Sequence, residues 1–125
     1  MDEVSNEALF QAYEETTIEI FQSENQLKDL GWKEYFVITA WNPFSKELSL
    51  IENRRRNDEL EKDLLGLRTE LMKAVGRSHD WKWFEESFAV RGISQIDIIQ
   101  IAKKYKQNAI FKISNGERKV ISCID

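Results

Sequence analysis

Residues 35–41 are Tyr-Phe-Val-Ile-Thr-Ala-Trp, and residues 42–43, Asn-Pro, follow directly. A continuous apolar run of this length is typical of a strand that is buried on both faces of a sheet. Asn-Pro breaks such a strand abruptly, because proline cannot continue the hydrogen-bonded ladder. The run therefore predicts a strand near the centre of a sheet, and the other elements are arranged around it.

Two helices are expected after this strand, and each begins with a capping-box pattern. Ser49-Leu50-Ile51-Glu52 starts the longer helix, which we expect to run to about Leu65 with Gly66 as its stop. Ser94 starts the second helix, with Asp97 in the position that completes the cap. The apolar residues of both segments recur at helical spacing, which predicts a buried stripe on each helix.

Four further strands are predicted after the central one. Alternating residues indicate strands over 67–76, where a helix is a competing interpretation, and over 84–91. The segments 108–113 and 118–124 flank Asn115-Gly116, and Asn-Gly is a strong hairpin signal because both residues tolerate positive φ. We therefore predict that the last two strands pair antiparallel.

An N-terminal helix and strand precede this order. The helix is predicted over 5–14 and the strand over 16–21, and residues 22–33 are interpreted as a polar connection. From Tyr35 onward the predicted order is β-α-β-β-α-β-β, a ferredoxin-like split βαβ pattern with an extra C-terminal strand. The sequence thus predicts one α+β domain that spans residues 1–125.

The composition favours a packed domain in the cytoplasm. Hydrophobic residues make up 42% of the chain and aromatic residues 11%, which supports a core rather than disorder. No apolar run approaches the roughly 20 residues that span a bilayer, and Met1-Asp2-Glu3 is acidic where a secretory signal is basic. The lone Cys123 has no internal disulfide partner, so we expect a reducing, cytoplasmic location and no membrane partner.

The net charge of −4 is unevenly distributed. Residues 1–27 contain seven acidic side chains and neither Lys nor Arg, which leaves a charge of +3 on the remainder. The acidic segment fits either a self-packing arrangement or a regulatory cover over a mildly basic body. The basic excess is too small to favour nucleic acid as a partner.

Three sequence islands resemble a known family. They are residues 38–45 continuing into 52–57, residues 83–87 with 92–93, and residues 107–110. On these islands the chain resembles the bacterial domain-of-unknown-function family 3293 over nearly its whole length. The resemblance implies a shared fold and a shared polar site, and it implies no activity.

Two asparagines lie on the apolar stripe of the longer helix. In helical projection Asn53 and Asn57 fall within about 80° of Leu50 and Leu60. A buried amide without hydrogen-bond partners costs on the order of 1–3 kcal/mol. We therefore predict that both are largely buried and bonded to the segment 39–49, with direct ligand contact as the alternative.

Glu86 is predicted to share a strand face with apolar residues, among them Phe88 and Val90. A carboxylate in such surroundings must pair, bind a ligand or take a raised pKa. Arg54 and Arg56 flank the helix stripe that covers this face, so we predict a charge-assisted contact between Glu86 and one of them. Phosphate binding by these arginines is the alternative.

The sequence contains no established catalytic motif. Glu85 and Glu86 are adjacent in a strand and point to opposite faces, so they do not predict an acid/base dyad. There is no phosphate-binding P-loop, no G-x-S-x-G and no H-E-x-x-H. His79, the single histidine, has only Asp80 beside it and is a poor metal signal. We therefore predict neither a metal nor a cofactor.

Residues 77–83 are predicted to form a loop that carries Trp81 and Trp83. Exposed aromatic side chains in such a loop either form a recognition surface or cover the core.

Together these observations predict one polar site built from three regions of the chain. Its residues are Thr39, Trp41, Asn42, Ser45, Asn53, Arg54, Arg56, Asn57, Glu85, Glu86, Ser87, Gln107 and Asn108. The predicted function is a binding module for a small molecule or a protein. The alternatives are a small hydrolase or nuclease-like enzyme that uses Glu85 or Glu86 with an arginine, and a wholly structural cluster. An open cleft favours binding, and a closed, satisfied network favours the structural role.

Overall fold

The computed structural model of the protein describes residues 6–21 and 24–124. They form an α+β fold with one six-stranded antiparallel sheet and helices packed on both of its faces. In chain order the elements are α1 (Asn6–Glu14), β1 (Thr17–Ile20), α2 (Glu24–Asp29), β2 (Glu34–Ile38), α3 (Leu50–Gly66), β3 (Glu70–Arg77), β4 (Phe84–Arg91), α4 (Gln95–Lys104), β5 (Ala109–Ser114) and β6 (Glu117–Ser122). A short 3-10 turn, Pro43–Ser45, lies between β2 and α3. Over the described ranges, no helix has the length and apolar character needed to cross a membrane.

The sheet has the strand order β1-β3-β4-β2-β5-β6. Strand β2 pairs antiparallel with β4 on one side and with β5 on the other. Phe36 and Ile38 belong to the core on one face of the sheet, and Val37 belongs to the core on the opposite face. The prediction of an internal strand buried on both faces is therefore confirmed.

Helices α3 and α4 cover one face of the sheet. Leu60 and Leu64 of α3 and Ile98 of α4 are fully buried there against residues such as Phe88 and Val90. The predicted apolar stripes thus pack as the 3.6-residue spacing requires.

Helices α1 and α2 lie on the opposite face. Tyr13 of α1 packs its ring on Phe111 of β5, with ring centroids 5.8 Å apart. Leu27 of α2 joins Trp32 in the same buried cluster. Arg118 of β6 also donates to the backbone carbonyls at the end of α1, so the N-terminal helix is attached to the C-terminal hairpin.

The C-terminal hairpin forms as predicted. Strands β5 and β6 pair antiparallel, and Ser114 lies opposite Glu117 across a two-residue turn. Asn115 and Gly116 have φ of 51° and 82°, the left-handed values that this tight turn requires.

The α3 cap is confirmed, but the predicted stop is wrong. Ser49 Oγ accepts from the backbone N–H of Glu52. At the other end Gly66 is still helical, and the left-handed residue is Arg68, with φ of 60°. Backbone N–H groups of Leu67 and Arg68 donate to carbonyls of the last turn, which extends α3 past the glycine.

Other predicted boundaries also differ from the structure. The strand predicted over 67–76 begins at Glu70, because Leu67 and Arg68 close the last turn of α3. The polar connection predicted over residues 22–33 contains α2, because the buried Leu27 gives this six-residue helix an apolar anchor. The β3 ladder continues to Arg77, so the predicted 77–83 loop begins one residue later. Strand β2 ends at Ile38 rather than at Trp41, because the side chain of Asn57 binds the backbone that follows it.

Candidate functional site

The segment from Ala40 to Leu48, here called the 40–48 loop, has an unusual backbone. Asn42, Phe44 and Ser45 have φ of 49°, 49° and 62°. Residues other than glycine seldom adopt these values, and a bulky side chain such as that of Phe44 does so at a cost in conformational energy. Such a backbone persists only where its surroundings hold it in place.

The two asparagines of α3 provide part of that support. Asn57 Oδ1 accepts from Ala40 N–H at 2.8 Å, and its Nδ2 donates to the carbonyl of Glu86 at 2.7 Å. Asn53 Oδ1 accepts from Asn42 N–H at 2.9 Å. Both asparagines are buried and bonded to the segment 39–49, which confirms the prediction. Strand β2 ends early because a helix side chain, rather than a neighbouring strand, binds the backbone after Thr39.

Two longer polar side chains complete the support of the loop. Arg56 donates from Nε to the carbonyl of Ala40 at 2.6 Å and from a terminal nitrogen to the carbonyl of Tyr105. Gln107 Nε2 donates to the carbonyl of Trp41 at 3.0 Å. Arg56 is therefore engaged by backbone carbonyls, and the geometry does not support the phosphate-binding alternative for it.

Thr39 and Ser87 are also engaged by the backbone. Thr39 Oγ1 donates to the carbonyl of Glu86 at 2.7 Å and accepts from Trp41 N–H at 3.1 Å. Ser87 Oγ donates to the carbonyl of Glu85 at 3.1 Å. This part of the predicted site is a closed network whose bonds are made within the fold.

Glu86 forms the predicted contact with an arginine, and the partner is Arg54. Arg54 Nε donates to Glu86 Oε1 at 2.9 Å. The side chains are 58% and 42% exposed, so the pair lies on the surface beside α3 and is neither enclosed nor in a cleft. Exposed pairs of this kind contribute little to stability.

An open cleft lies on the other side of the 40–48 loop. Its volume is about 640 Å³, and its walls are α1, this loop, the first turn of α3 and the start of β4. Five of the predicted site residues line it, namely Trp41, Asn42, Ser45, Asn53 and Glu85.

Glu85 is the acidic group at the back of this cleft. It is partly buried, and its Oε1 accepts from Asn42 Nδ2 at 3.2 Å. Burial raises the pKa of Glu85 to about 7, because the loss of water outweighs the stabilising bond from Asn42. Within residues 6–21 and 24–124, no basic side chain forms an ion pair with Glu85.

Asn42 links the cleft to the closed network. Its amide oxygen accepts from Leu48 N–H at 3.0 Å and from Asn53 Nδ2 at 2.9 Å. Its amide nitrogen is thereby turned toward Glu85. The left-handed backbone of Asn42 is thus the point at which the loop presents a fixed donor to the carboxyl group.

Tyr13 is a cleft residue that the sequence analysis did not identify. Its phenol lies near Ser45 and Asn108, and burial followed by the nearby charge of Glu85 raises its pKa, so the phenol stays neutral. Asn108 Nδ2 also donates to Ser45 Oγ at 3.0 Å, which places Asn108 behind the cleft wall. Helical spacing treats a tyrosine as an apolar residue, and the hydroxyl of Tyr13 was the signal that it has a polar role.

Aromatic rings form the opposite side of the cleft. Trp41 is buried and packs on Phe84 with ring centroids 5.5 Å apart. Phe84 and Trp83 line the mouth, where they are 43% and 44% exposed. Trp81 lies apart from them, because the guanidinium of Arg77 stacks on its ring at 4.3 Å. Of the two tryptophans predicted in the loop, only Trp83 therefore lines the cleft.

The remaining reactive side chains do not form a site. His79 stays without a ligand set, since the described part of the chain holds no group of three or more metal-ligating side chains. Cys123 is buried, and burial raises the pKa of its thiol to about 11, which disfavours the nucleophilic thiolate.

The structure thus divides the predicted site into three parts. Five residues line the cleft, and Asn108 supports its wall through Ser45. Five others hold the backbone, namely Thr39, Arg56, Asn57, Ser87 and Gln107. Arg54 and Glu86 form the exposed pair. Among the predicted site residues, an acid pairs with an arginine only at Glu86, which lies away from the cleft.

A comparison with protein families matches residues 38–110 to the model described as "Protein of unknown function (DUF3293)". No curated protein and no solved structure matches the chain. The matched span contains the 40–48 loop, the asparagines of α3 and Glu85, whereas Tyr13 lies before it.

Proposed function

Because the chain belongs to the DUF3293 family, whose description names no activity, we propose its function from the cleft: the protein binds a small molecule there. The observation that supports this proposal is an open space of about 640 Å³, which Glu85, Ser45 and Asn42 line beside aromatic rings. Small-molecule sites typically occupy about 300–1,000 Å³ and combine apolar walls with a few fixed polar groups. The cleft has both properties.

The open cleft favours binding, and the closed network beside it has a supporting structural role. Thr39, Asn57 and Gln107 make their hydrogen bonds with the backbone of the fold. The backbone of the 40–48 loop is fixed by these bonds before any ligand arrives. Such preorganisation lowers the entropic cost of binding.

A fragment screen by two-dimensional NMR tests this proposal. We expect some fragments to shift the amide signals of Asn42, Ser45 and Glu85 together. Ala12→Trp should fill the cleft from α1 and abolish these shifts, since Ala12 lines it. Gln11→Trp is the matched control, because the neighbouring Gln11 is exposed and does not line the cleft. Fragment shifts that are unaffected by Ala12→Trp would contradict the proposal.

A hydrolase is the second candidate, and the pKa of Glu85 supports it. A carboxyl group with a pKa of about 7 exchanges protons readily at neutral pH, as general acid–base catalysis requires. The cleft lining contributes no arginine from the described residues, so this version of the hypothesis uses Glu85 without one. Turnover of ester or phosphodiester substrates that survives in Glu85→Gln would reject it.

We infer further that β2 to β5 with α3 and α4 form a ferredoxin-like split βαβ unit within a single domain. The order β3-β4-β2-β5 supports this, because β4 lies between the two strands that α3 connects. Strand β6 is then the extra C-terminal strand. Urea unfolding should follow one transition at all probes, and two separated transitions would contradict the single domain.

We also propose the cytoplasm as the location. The single Cys123 is buried and has no disulfide partner among the residues of the chain. Cell fractionation tests this, and recovery of the protein outside the cytoplasmic fraction would contradict it.

A further inference from the structure

We propose that the ligand of the cleft is a protonated amine carried on an apolar chain, with the Glu85 carboxylate as its counter-ion. This inference rests on the proposed binding function and specifies its ligand class. Three properties of the cleft lead to it: an acid that forms no ion pair with the described residues, aromatic walls, and hydrogen-bond acceptors that suit an ammonium group.

The first property is the missing counter-ion of Glu85. Elsewhere on the sheet, carboxylates of the strands pair with arginines, as in Glu19 with Arg77 at 2.6 Å and Glu70 with Arg91 at 2.9 Å. Glu85 is less exposed than either carboxylate, and among the described residues its carboxyl group bonds only to the neutral amide of Asn42. A cation from solution would therefore gain a stronger interaction here than at an exposed acid.

The second property is the aromatic wall. Trp41, Trp83 and Phe84 line the cleft on one side, and Tyr13 lines it on the α1 side. The faces of aromatic rings attract cations, and the attraction grows when water is excluded. Leu9 and Leu50 extend the lining with aliphatic surface that fits an alkyl chain. The combination suits a ligand with one charged end and an apolar body.

The third property is the set of hydrogen-bonding groups. An ammonium group carries three donors and no acceptor. The cleft offers it acceptors in the Glu85 carboxylate and in the hydroxyl oxygens of Ser45 and Tyr13. An anionic ligand would meet the charges of Glu85 and Glu47, and the described lining contributes one basic residue, the exposed Lys82, which lies 3.8 Å from Asp80.

The pH dependence of binding follows from the state of Glu85. Its pKa is raised to about 7, so the fraction ionised falls about tenfold from pH 8 to pH 6. The other titratable groups that face the cleft are Tyr13 from α1, Glu47 from the 40–48 loop and Lys82 before β4. An alkylamine has a pKa near that of Lys, about 10.4, and stays protonated throughout this range. Its affinity should therefore fall about tenfold between pH 8 and pH 6.

Three probes of equal length separate charge from apolar contact. Hexylammonium, 1-hexanol and hexanoate are titrated into the protein at pH 8, with affinity measured by calorimetry and location by NMR shifts. We expect hexylammonium to bind at least about tenfold more tightly than hexanol, and hexanoate to bind most weakly. Hexanol binding as tightly as hexylammonium would overturn the inference.

Two matched variants assign the preference to one carboxylate. Glu85→Gln keeps the side-chain shape and should remove the preference for hexylammonium while leaving the affinity for hexanol unchanged. Glu47→Gln makes the same chemical change at the exposed rim. It should keep at least half of the wild-type ratio between the affinities for hexylammonium and hexanol. An unchanged ratio of affinities in Glu85→Gln would overturn the assignment.

The outcomes also separate this inference from the proposed function. Hexanol bound in the cleft without any preference for the amine would reject the cation and leave the binding function supported. Absence of cleft shifts with all three probes would count against both. Hexanoate as the tightest probe would reject the amine and indicate an acidic ligand.

Discussion

At the scale of single residues, the side-chain amide of Asn57 forms backbone hydrogen bonds that a neighbouring strand usually forms. The N–H of Ala40 and the carbonyl of Glu86 lie at the point where β2 and β4 cease to pair. Asn57 satisfies both, with one acceptor and one donor from the same amide. An apolar residue at this position would leave the N–H of Ala40 without a partner and the carbonyl of Glu86 with its bond from Thr39 alone.

Asn57→Leu should therefore lower the free energy of unfolding by about 1–3 kcal/mol, although leucine suits the helix and the core. Urea denaturation followed by circular dichroism measures this. Arg55→Leu is the control on the same helix, since Arg55 is exposed and its replacement should change the value by less than about 0.5 kcal/mol. An unchanged midpoint in Asn57→Leu would show that water replaces the amide.

Neighbouring carboxylates of β4 should respond differently to the same substitution. Glu86→Gln weakens an exposed ion pair outside the cleft, so both the unfolding midpoint and fragment binding should stay as in the wild type. Glu85→Gln should alter ligand binding. Thermal melts and NMR titrations of the two variants make the comparison, and loss of cleft binding in Glu86→Gln would mean that the site extends around the strand.

At the scale of elements, α1 is a wall of the cleft and also a part of the second core. The Tyr13 ring packs on Phe111, and its hydroxyl lies near Ser45 and Asn108. The helix therefore fixes the 40–48 loop from the side opposite to α3. This role was not predictable from helical spacing, because spacing assigns a tyrosine to a face without locating its hydroxyl.

Tyr13→Phe separates the two contributions. The ring contact with Phe111 should remain, and loss of the hydroxyl should cost about 1 kcal/mol in the free energy of unfolding. Amide hydrogen exchange at Ser45 should accelerate by more than exchange in β5, since the loop loses a restraint. Equal acceleration at both places would indicate that α1 detaches as a whole.

The boundaries of elements show where sequence patterns stop being informative. The hairpin at Asn115-Gly116 was predictable because its signal is local. The end of β2 was not, since it depends on Asn57, which follows 17 positions after Ala40. Similarly, alternation placed Glu86 beside an arginine, but whether that pair is enclosed depends on how the surrounding surface closes.

At the scale of the whole molecule, the raised pKa of Glu85 couples folding to pH. The folded state holds its proton up to about pH 7, whereas an unfolded glutamate loses it near its ordinary pKa of 4.5. Between these values the folded state binds more protons, so stability falls as pH rises. Above the pKa of Glu85 in the folded state, its contribution to the free energy of unfolding no longer changes with pH.

Relative to Glu85→Gln, the wild type should therefore lose about 2–3 kcal/mol of unfolding free energy between pH 5 and pH 8. Urea denaturation of both proteins at several pH values measures the difference. Glu47→Gln serves as the control, and its profile should remain parallel to that of the wild type. Parallel profiles for wild type and Glu85→Gln would show that Glu85 titrates like a solvated acid.

Only some of the residues that line the cleft could be predicted from the sequence. The islands that resemble the family indicated Asn42, Ser45 and Glu85, and Asn53 stood out as a polar residue on the apolar stripe of its helix. Which predicted residues belong to the closed network and which line the open cleft was not predictable. This depends on the side of the 40–48 loop on which each side chain lies. The contribution of α1 depends on contacts across almost the entire chain.

That long-range attachment has a consequence for how the protein is made. Arg118 bonds to carbonyls at Glu14 and Thr16, which were synthesised more than 100 residues earlier. A ribosome adds roughly 5–20 residues per second, so α1 waits about 5–20 s for the strands that receive it. Helix α1 is therefore fixed as a wall of the cleft only after β6 has been synthesised, and a nascent protein stalled before the β5–β6 hairpin lacks this wall.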